Sequence, residues 1–262
     1  MSVKNQIKNL STRYGGYRIL RWVQDHVVDR SRLDESAERR RFYGRLISPD
    51  DLCFDVGSNI GDVSSVLLAL GARVVAVDPQ PAAMRELKAR LGRHRNLTCV
   101  EAGLSDKPGE LDLYLHDQVG TTSMVPDWGA GKTTGKITVP VTTLDGLIKR
   151  FGCPKYCKID VEGFELNVLK GLSTRIRLLS LEFHADEKNM ALTRQCLAVL
   201  ERQGPLQINV IPFCRYAFAW PKWLTRDEFE TKFWTELSNN PEFAYGDIFI
   251  RYRECAPHPR HH

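Results

Sequence analysis

The sequence has no run of 18 apolar residues, no CxxC pair and no GxGxxG motif. The first absence argues against a membrane-spanning helix, and the polar first ten residues lack the apolar centre of a secretory signal. We therefore expect a cytoplasmic protein without a membrane span. Without CxxC pairs, the seven cysteines are expected to be reduced and mostly buried. The missing GxGxxG motif argues against a bound NAD or FAD.

Acidic and basic residues nearly balance over most of the chain, so an extended basic surface is not expected. The net charge is +5, and residues 1–50, with 11 Lys or Arg against six Asp or Glu, account for all of it. A basic segment can attract an anionic partner, but a run such as 39–41 more often forms the solvated face of a helix. We favour the helix face, and nucleic acid is not the expected partner.

Apolar segments of strand length alternate with amphipathic segments of helix length, which is the pattern of a parallel sheet covered by helices. The almost wholly apolar segment 72–77 is typical of a parallel strand that is buried on both faces. An α/β fold is predicted, with sheet strands at residues 52–56, 72–77, 97–104, 156–161, 176–183, 206–213 and 247–252. The helices between them are predicted at residues 62–70, 81–91, 164–172, 187–203 and 225–237.

Two regions depart from this alternation. Residues 107–142 contain two stretches of alternating apolar and polar side chains, which predict an inserted antiparallel hairpin with a glycine-rich loop at 119–135. Before the first strand, apolar residues at helical spacing predict helices at 17–28 and 35–46. The chain is therefore divided into N-terminal helices at 1–48, a main domain at 49–255, and a tail at 256–262 whose histidines are typical of a purification tag.

The segment Phe54–Gly61 carries the clearest signal for ligand binding. An apolar strand runs into a turn that contains Gly57 and Gly61, and a helix follows. The two glycines permit positive φ angles and close approach of a ligand, and a helix N-terminus favours carboxylates and other anions. Asp55 suits the ammonium of an amino-acid-like ligand and would repel a pyrophosphate. The carboxyl end of the first strand is also where open α/β sheets bind ligands.

Acidic residues follow further predicted strands. Asp78 lies about 20 positions after the first glycine, where an acid that binds ribose hydroxyls is expected. Asp160 and Glu162 end another strand two residues apart, and such paired carboxylates need a cation, a proton or a hydroxyl group beside them. Their oxygens would suit Mg²⁺, although a metal is not predicted. His184, which closes the next strand after Glu182, is a candidate general base.

Seven segments carry a resemblance to a known family: FDVGSNIG at 54–61, the Asp78-Pro79 pair, LSDKPG at 104–109, GTTS at 120–123, TLD at 143–145, KIDVEGFELNVLKG at 158–171 and LEFH at 181–184. In this order they resemble the FkbM family of methyltransferases, over about residues 46–184. The resemblance implies a Rossmann-like class I methyltransferase fold with a mostly parallel seven-stranded sheet and helices on both faces. It also implies S-adenosylmethionine as cofactor and O-methylation of a small-molecule hydroxyl, on a sugar, glycoside or polyketide-type metabolite.

The resemblance further implies roles for single residues. The methionine part of the cofactor would be held by four residues of the glycine turn, Asp55, Gly57, Asn59 and Gly61. Asp78, where the family often has glutamate, would bind the ribose. The adenine would be bordered by Gly103, Leu104 and Ser105. The base that accepts the hydroxyl proton, or the group that orients the acceptor, is expected among Asp160, Glu162 and His184, with Asp160 preferred.

Two other functions stay open at this point, as does a homodimer. A ribose-directed RNA methyltransferase would use Lys158, Asp160 and Glu182, with the basic N-terminal segment on phosphates. Against it, no platform of aromatic and basic residues for bases is evident. A non-catalytic cofactor-binding protein would not need the two acids at 160 and 162, so their presence argues against it.

Overall fold

The computed structural model describes residues 30–116, 122–126, 128, 133–212, 215–233, 235, 240 and 243–253. The helix predicted at 17–28 and the tail at 256–262 lie outside these residues. The chain divides into two compact units, 1–39 and 40–262, and the helix α1 (Arg30–Tyr43) includes the described part of the first unit. The domain boundary at residue 48 stays a prediction. No helix within the described ranges is long and apolar enough to cross a membrane.

Strands and helices alternate through the second unit, as predicted. In chain order they are β1 (Leu52–Val56), α2 (Asp62–Ala69), β2 (Arg73–Val77), α3 (Pro81–Leu91), β3 (Leu97–Val100), β4 (Gly103–Leu104), β5 (Gly109–His116), β6 (Thr133–Thr142), α4 (Leu144–Phe151), β7 (Tyr156–Ile159), α5 (Glu165–Lys170), β8 (Leu178–His184), α6 (Glu187–Glu201), β9 (Leu206–Pro212), α7 (Arg226–Lys232) and β10 (Tyr245–Tyr252).

Seven strands form the main sheet in the order β3-β2-β1-β7-β8-β10-β9. Only β10 runs antiparallel to its neighbours, β8 and β9, and the other strands of this sheet are parallel. The predicted α/β fold with a mostly parallel seven-stranded sheet is therefore confirmed. Because parallel strands end at the same edge, the carboxyl ends of β1, β2, β7 and β8 lie side by side.

Both faces of the sheet are covered, and successive residues of a strand belong to different cores. Phe54 and Val75 belong to one cluster of buried side chains, which includes residues of α4 to α7. Their neighbours Cys53 and Val74 belong to the other, with Phe42 and with residues of α2 and α3. Each fully buried large apolar side chain contributes roughly 1.5–3 kcal/mol relative to exposure. This double burial explains why these strands read as continuous apolar runs.

The prediction of one strand over 97–104 is wrong. The chain leaves the main sheet after Val100, and Gly103–Leu104 pairs with β6 in a second sheet of order β4-β6-β5. The reason is long-range pairing: Gly103 and Leu104 lie opposite Val141 and Thr142 of β6, and the N–H of Ser105 donates to the carbonyl oxygen of Thr142 at 2.9 Å. The predicted antiparallel hairpin is present as β5 and β6.

Helix α4 was not predicted, although its signals are in the sequence. The hydroxyl of Thr143 accepts a hydrogen bond of 2.9 Å from the N–H of Gly146, which is an N-terminal cap. Asp145 lies in the first turn and Lys149 and Arg150 in the last, as the helix dipole favours. At α7, Thr225 and Glu228 form a capping box.

Asn209 fastens the segment 215–224 to strand β9. Its side chain is 1% exposed, and its Nδ2 donates to the carbonyl oxygens of Trp220 and Lys222 at 2.9 and 3.4 Å. Its Oδ1 accepts from the N–H of Trp220 at 3.3 Å. One buried amide therefore satisfies several backbone groups of a segment that has no regular ladder of its own.

We expect Asn209→Leu to lower the free energy of unfolding by about 2–4 kcal/mol, because it removes the hydrogen bonds that a buried amide makes to the backbone of Trp220 and Lys222. Urea unfolding would measure this as a lower midpoint at constant slope. The matched control is Gln207→Leu on the same strand, which loses a partly buried bond to Arg251 and should cost less than about 1 kcal/mol. Equal losses in the two variants would contradict the anchoring role of Asn209.

Candidate active site

The ends of β1 and β7 meet at Gly57. Its φ is +76°, and a Cβ there would lie 1.6 Å from the backbone oxygen of Asp160. The N–H groups of Gly57 and Ser58 both donate to the carbonyl oxygen of Val77, at 2.9 and 3.0 Å. Any side chain at position 57 would push the two strand ends apart, so this glycine brings the turn after β1 against the turn after β7.

Two predicted cofactor residues, Gly61 and Asp55, support the turn from beneath and do not line the cleft beside it. Gly61 precedes α2 with φ +86°, and a Cβ there would lie 2.8 Å from Leu91. Its small size therefore serves packing against α3. Asp55 is 2% exposed and accepts a 2.6 Å hydrogen bond from the hydroxyl of Ser64 on α2, and burial raises its pKa.

Asp78 ties the turn after β1 to the end of β2. One carboxylate oxygen accepts from the N–H of Asn59 at 2.8 Å, and the other accepts from the N–H of Gln80 at 2.8 Å. Burial raises the pKa of Asp78 to about 6, against the effect of these two hydrogen bonds. Each carboxylate oxygen has a second lone pair, so the group can still accept hydrogen bonds from a ligand.

A cleft that is open to solvent lies at this edge of the sheet, with about 680 Å³ of empty space including the solvent at its mouth. Seven predicted site residues line it: Gly57, Asn59, Asp78, Gly103, Leu104, Asp160 and Glu162. Ser105 is buried outside the cleft, where its N–H donates to the carbonyl oxygen of Thr142. The cleft is also lined by Leu113 of β5 and by Thr122, Ser123 and Met124 of the inserted loop.

Three carboxylates converge beside the cleft. Oxygens of Asp160, Glu162 and Glu182 all lie within 4.8 Å of one another, and such a group could hold a metal ion. Strand β7 ends at Ile159, so Asp160 and Glu162 lie in the turn after it, where Glu162 has φ +54°. Glu165 holds this turn by accepting from the N–H groups at 161 and 163.

Lys158 gives Asp160 a permanent positive partner. The lysine is 7% exposed, and its Nζ lies 2.7 Å from Asp160 and 3.5 Å from Asp247. Burial lowers the pKa of Lys158, but the charges of Asp160 and Asp247 outweigh burial and hold the pKa well above its usual range. The ammonium therefore stays charged at neutral pH beside the carboxyl group of Asp160.

The environment of Glu162 favours the protonated form of its carboxyl group. Burial raises its pKa to about 8, and the neighbouring charges of Glu182 and Asp160 add to this effect. The indole N–H of Trp128 donates to its carboxyl group at 2.9 Å, and the hydroxyl of Ser123 donates to its backbone oxygen at 2.6 Å. At pH 7 the carboxyl group of Glu162 is therefore mostly protonated.

His184 lies outside the cleft, on the far side of Glu182. Its Nε2 is 3.5 Å from the Glu182 carboxylate, and this contact raises the pKa of His184 despite partial burial. The ring stacks on Tyr245 with centroids 5.9 Å apart. His184 therefore contacts the carboxylate cluster from the β8 side and not from the cleft.

Trp128 is a site residue that sequence reasoning missed. Its ring lies so close over Gly163 that a Cβ there would come within 2.2 Å of it, and its N–H binds Glu162. The only signal was a large aromatic side chain within a polar, glycine-rich loop.

Comparison with known proteins gives one curated relative. The chain is 31% identical over 144 residues to the hexuronic acid methyltransferase AglP of Haloferax volcanii. The alignment covers 52% of this chain and 57% of the relative, so it spans little more than half of that protein.

Similar solved structures are more distant in sequence. They include the precorrin-6y C5,15-methyltransferase of Geobacter metallireducens, with 15% identity, a TM-score of 0.44 and coverage of 82% of this chain and 87% of that one. They also include the fibrillarin of Aeropyrum pernix with natively bound S-adenosyl-L-methionine, with 9% identity, a TM-score of 0.46 and coverage of 79% and 68%.

The match to a family is more extensive. Residues 55–205, more than half of the chain, match the methyltransferase FkbM domain. This range includes the glycine turn, Asp78 and the whole carboxylate turn after β7. The resemblance seen in the sequence is thus confirmed, together with the class I methyltransferase fold and the use of S-adenosylmethionine by an enzyme of this type. The chain belongs to the FkbM family of S-adenosylmethionine-dependent methyltransferases.

Proposed function

We propose that this methyltransferase acts on a hydroxyl group of a sugar. The observation that carries the proposal is the carboxylate cluster beside the cleft, in which the Nζ of Lys158 lies 2.7 Å from the carboxyl group of Asp160. An ionised carboxylate can accept the proton of a hydroxyl group as it is methylated. The similarity to a hexuronic acid methyltransferase supports a sugar as the acceptor.

The cleft fits the cofactor on its own chemistry. Asp78 offers carboxylate lone pairs for two ribose hydroxyls, and Leu104 and Leu113 offer apolar surface for a flat base. Gly57 and Asn59 would lie along the amino-acid part. When bound, S-adenosylmethionine supplies a methyl group that its positively charged sulfur activates.

Asp160 is the proposed base, and Glu162 is proposed to orient the acceptor. Asp160 is the acid beside the buried ammonium, so it is the better proton acceptor at neutral pH. Glu162, with its pKa raised to about 8, carries a proton that it can donate to a ring oxygen or hydroxyl of the acceptor. Most of the rate enhancement expected of such a site comes from holding the acceptor hydroxyl in line with the methyl group.

A divalent cation is not needed in this proposal. The three carboxylates have oxygens suited to Mg²⁺. Lys158, however, already supplies a positive charge inside the protein, and the proton on Glu162 removes one negative charge from the cluster.

A ribose hydroxyl of RNA is a second candidate acceptor. It is supported by the convergence of Lys158, Asp160 and Glu182, since the charge of Lys158 acts on both acids. An acceptor screen that contains RNA beside sugar glycosides separates the two, because a ribose-directed enzyme would methylate RNA and leave glycosides unchanged.

We expect Asp78→Asn to weaken the binding of S-adenosylmethionine about 10- to 100-fold, because charged hydrogen bonds to the ribose become neutral ones. Isothermal titration calorimetry measures the affinity, and a thermal unfolding curve checks that the turn is intact. Asp78→Glu keeps the charge and should retain most of the affinity. Asp106→Asn, which changes an exposed acid outside the cleft, is the control. Unchanged affinity in Asp78→Asn would contradict the ribose assignment.

Asp160→Asn should lower kcat by about 10²- to 10⁴-fold while it changes cofactor affinity by less than about tenfold, because the proton acceptor is lost and the cleft is kept. Transfer of labelled methyl to a panel of sugar glycosides measures the rate. Glu101→Gln, at an exposed ion pair with Lys88, is the control. If Asp160→Asn transfers methyl groups at the wild-type rate, Asp160 is not the base.

Removal of metal with EDTA should leave the methylation rate within about twofold of the untreated enzyme, because Lys158 supplies the positive charge beside Asp160. The measurement compares EDTA-dialysed enzyme before and after addition of MgCl₂. A large loss that Mg²⁺ restores would assign the carboxylate cluster to a metal ion.

A further inference from the structure

The inserted loop between β5 and β6 contacts the carboxylate turn at Glu162. The hydroxyl of Ser123 donates to the backbone oxygen of Glu162 at 2.6 Å and accepts from the N–H of Val125 at 2.9 Å. The backbone of Ser123 also pairs with Tyr114 of β5, through hydrogen bonds of 2.8 and 3.3 Å. This part of the loop is therefore joined to a strand and to the carboxylate turn at the same residue.

Trp128, from the same loop, gives the carboxyl group of Glu162 its only hydrogen bond among the described residues. The indole N–H donates to Oε2 at 2.9 Å, and an indole nitrogen is a donor only. The second oxygen, Oε1, has no hydrogen-bond partner in the part of the chain that the structure describes, and Glu162 lines the cofactor cleft. One carboxyl oxygen is thus held by the loop, and the other is left for a ligand.

Packing fixes the indole ring that makes this bond. Trp128 is 9% exposed, and a Cβ on Gly163 would lie 2.2 Å from its ring, so the ring fills the space that a side chain at 163 would take. The ring also meets His184 edge-on with centroids 6.4 Å apart, and the Nζ of Lys188 lies 5.9 Å from its centre. A ring packed in this way has few rotamers available, so the direction of its N–H is set.

We propose that Trp128 is a positioning residue for methyl transfer: its indole N–H holds Oε2 of Glu162, so that Oε1 is presented to the acceptor. The inference rests on the proposed role of Glu162 in orienting the acceptor and adds the residue on which that orientation depends. The last side-chain torsion of a glutamate is intrinsically broad, so a single hydrogen bond selects the plane of the carboxyl group. Loss of that bond leaves Glu162 in the turn with its carboxyl group free to rotate.

Trp128→Phe removes the N–H and keeps a ring over Gly163. We expect kcat to fall about 10- to 100-fold, because small errors in the placement of an acceptor are costly in rate. Affinity for S-adenosylmethionine, measured by calorimetry, should stay within about twofold, because an interaction that acts on the transfer step is lost and the cleft is kept. The matched control is Trp223→Phe, at an indole that packs against Phe218 and Arg251 away from the cleft, and it should change neither quantity.

A double substitution separates positioning from a purely structural role. In a Glu162→Ala background the carboxyl group is absent, so adding Trp128→Phe should change kcat by less than about twofold. If Trp128 only stabilised the loop, the second substitution would lower kcat as much as it does in the wild type. That additive result, or a wild-type kcat in Trp128→Phe itself, would overturn the inference.

The contact itself can be measured without catalysis. Each of the five tryptophans of the chain has an indole N–H, and the NMR resonance of Trp128 is identified by its loss in Trp128→Phe. In protein loaded with S-adenosylhomocysteine, Glu162→Ala should shift this resonance and speed exchange of its proton with water, whereas Glu101→Gln should leave it unchanged. An unchanged resonance in Glu162→Ala would overturn the inference. The kinetic comparison uses whichever hydroxyl acceptor the enzyme methylates, so absence of transfer to sugars would count against the proposed function alone.

Discussion

The absence of a side chain at Gly57 is the constraint on which the rest of this site depends. A single Cβ would lie 1.6 Å from the backbone oxygen of Asp160, so only glycine lets β1 and β7 end in contact. That contact places the cofactor turn and the carboxylate turn on the walls of one cleft. The positive φ of Glu162 and the hold of Glu165 on the following turn then direct the carboxyl groups toward each other.

Burial of several acids at one edge of a sheet is costly unless their charges are reduced or compensated. In this protein, one acid has its charge compensated and another has its charge removed by protonation. Lys158 compensates Asp160 and Asp247, whereas Glu162 is kept mostly protonated by burial and by its acidic neighbours. Adjacent acids with different protonation states are a common way for one site to accept and donate protons at the same pH. Here one lysine on the central strand β7 supplies the compensating charge, and burial keeps the proton on Glu162.

The strands of the main sheet could be predicted because burial on both faces leaves long apolar runs in the sequence. The end of β3 could not, since residues 97–104 read as one run and the departure after Val100 depends on the pairing of Gly103 and Leu104 with β6. Such a contact joins segments that are distant in sequence and leaves no local pattern. Helix α4 could have been predicted, because its cap, its charges and apolar residues at helical spacing (Leu144, Leu147, Ile148 and Phe151) are all present within its eight residues.

For the site, the sequence could predict which residues lie close together but not which of them face the cleft. Residues at strand ends could be placed near one another, because parallel strands end at one edge. Whether each of them faces the cleft could not be decided, because this depends on partners elsewhere: Ser64 for Asp55, and Leu91 for Gly61. Trp128 reaches Glu162 from a loop 34 residues earlier in the chain, and periodicity gives no indication of such a contact.

The position of β10 has a consequence for how the protein is made. This strand comes after β9 in the chain but lies between β8 and β9 in the sheet, so a growing polypeptide cannot complete the sheet until its last described strand has left the ribosome. Asp247, the second carboxylate beside Lys158, arrives with that strand. Until β10 is added, Lys158 of the nascent chain has Asp160 beside it but not Asp247. The charge balance of the site is thus among the last features to form during synthesis.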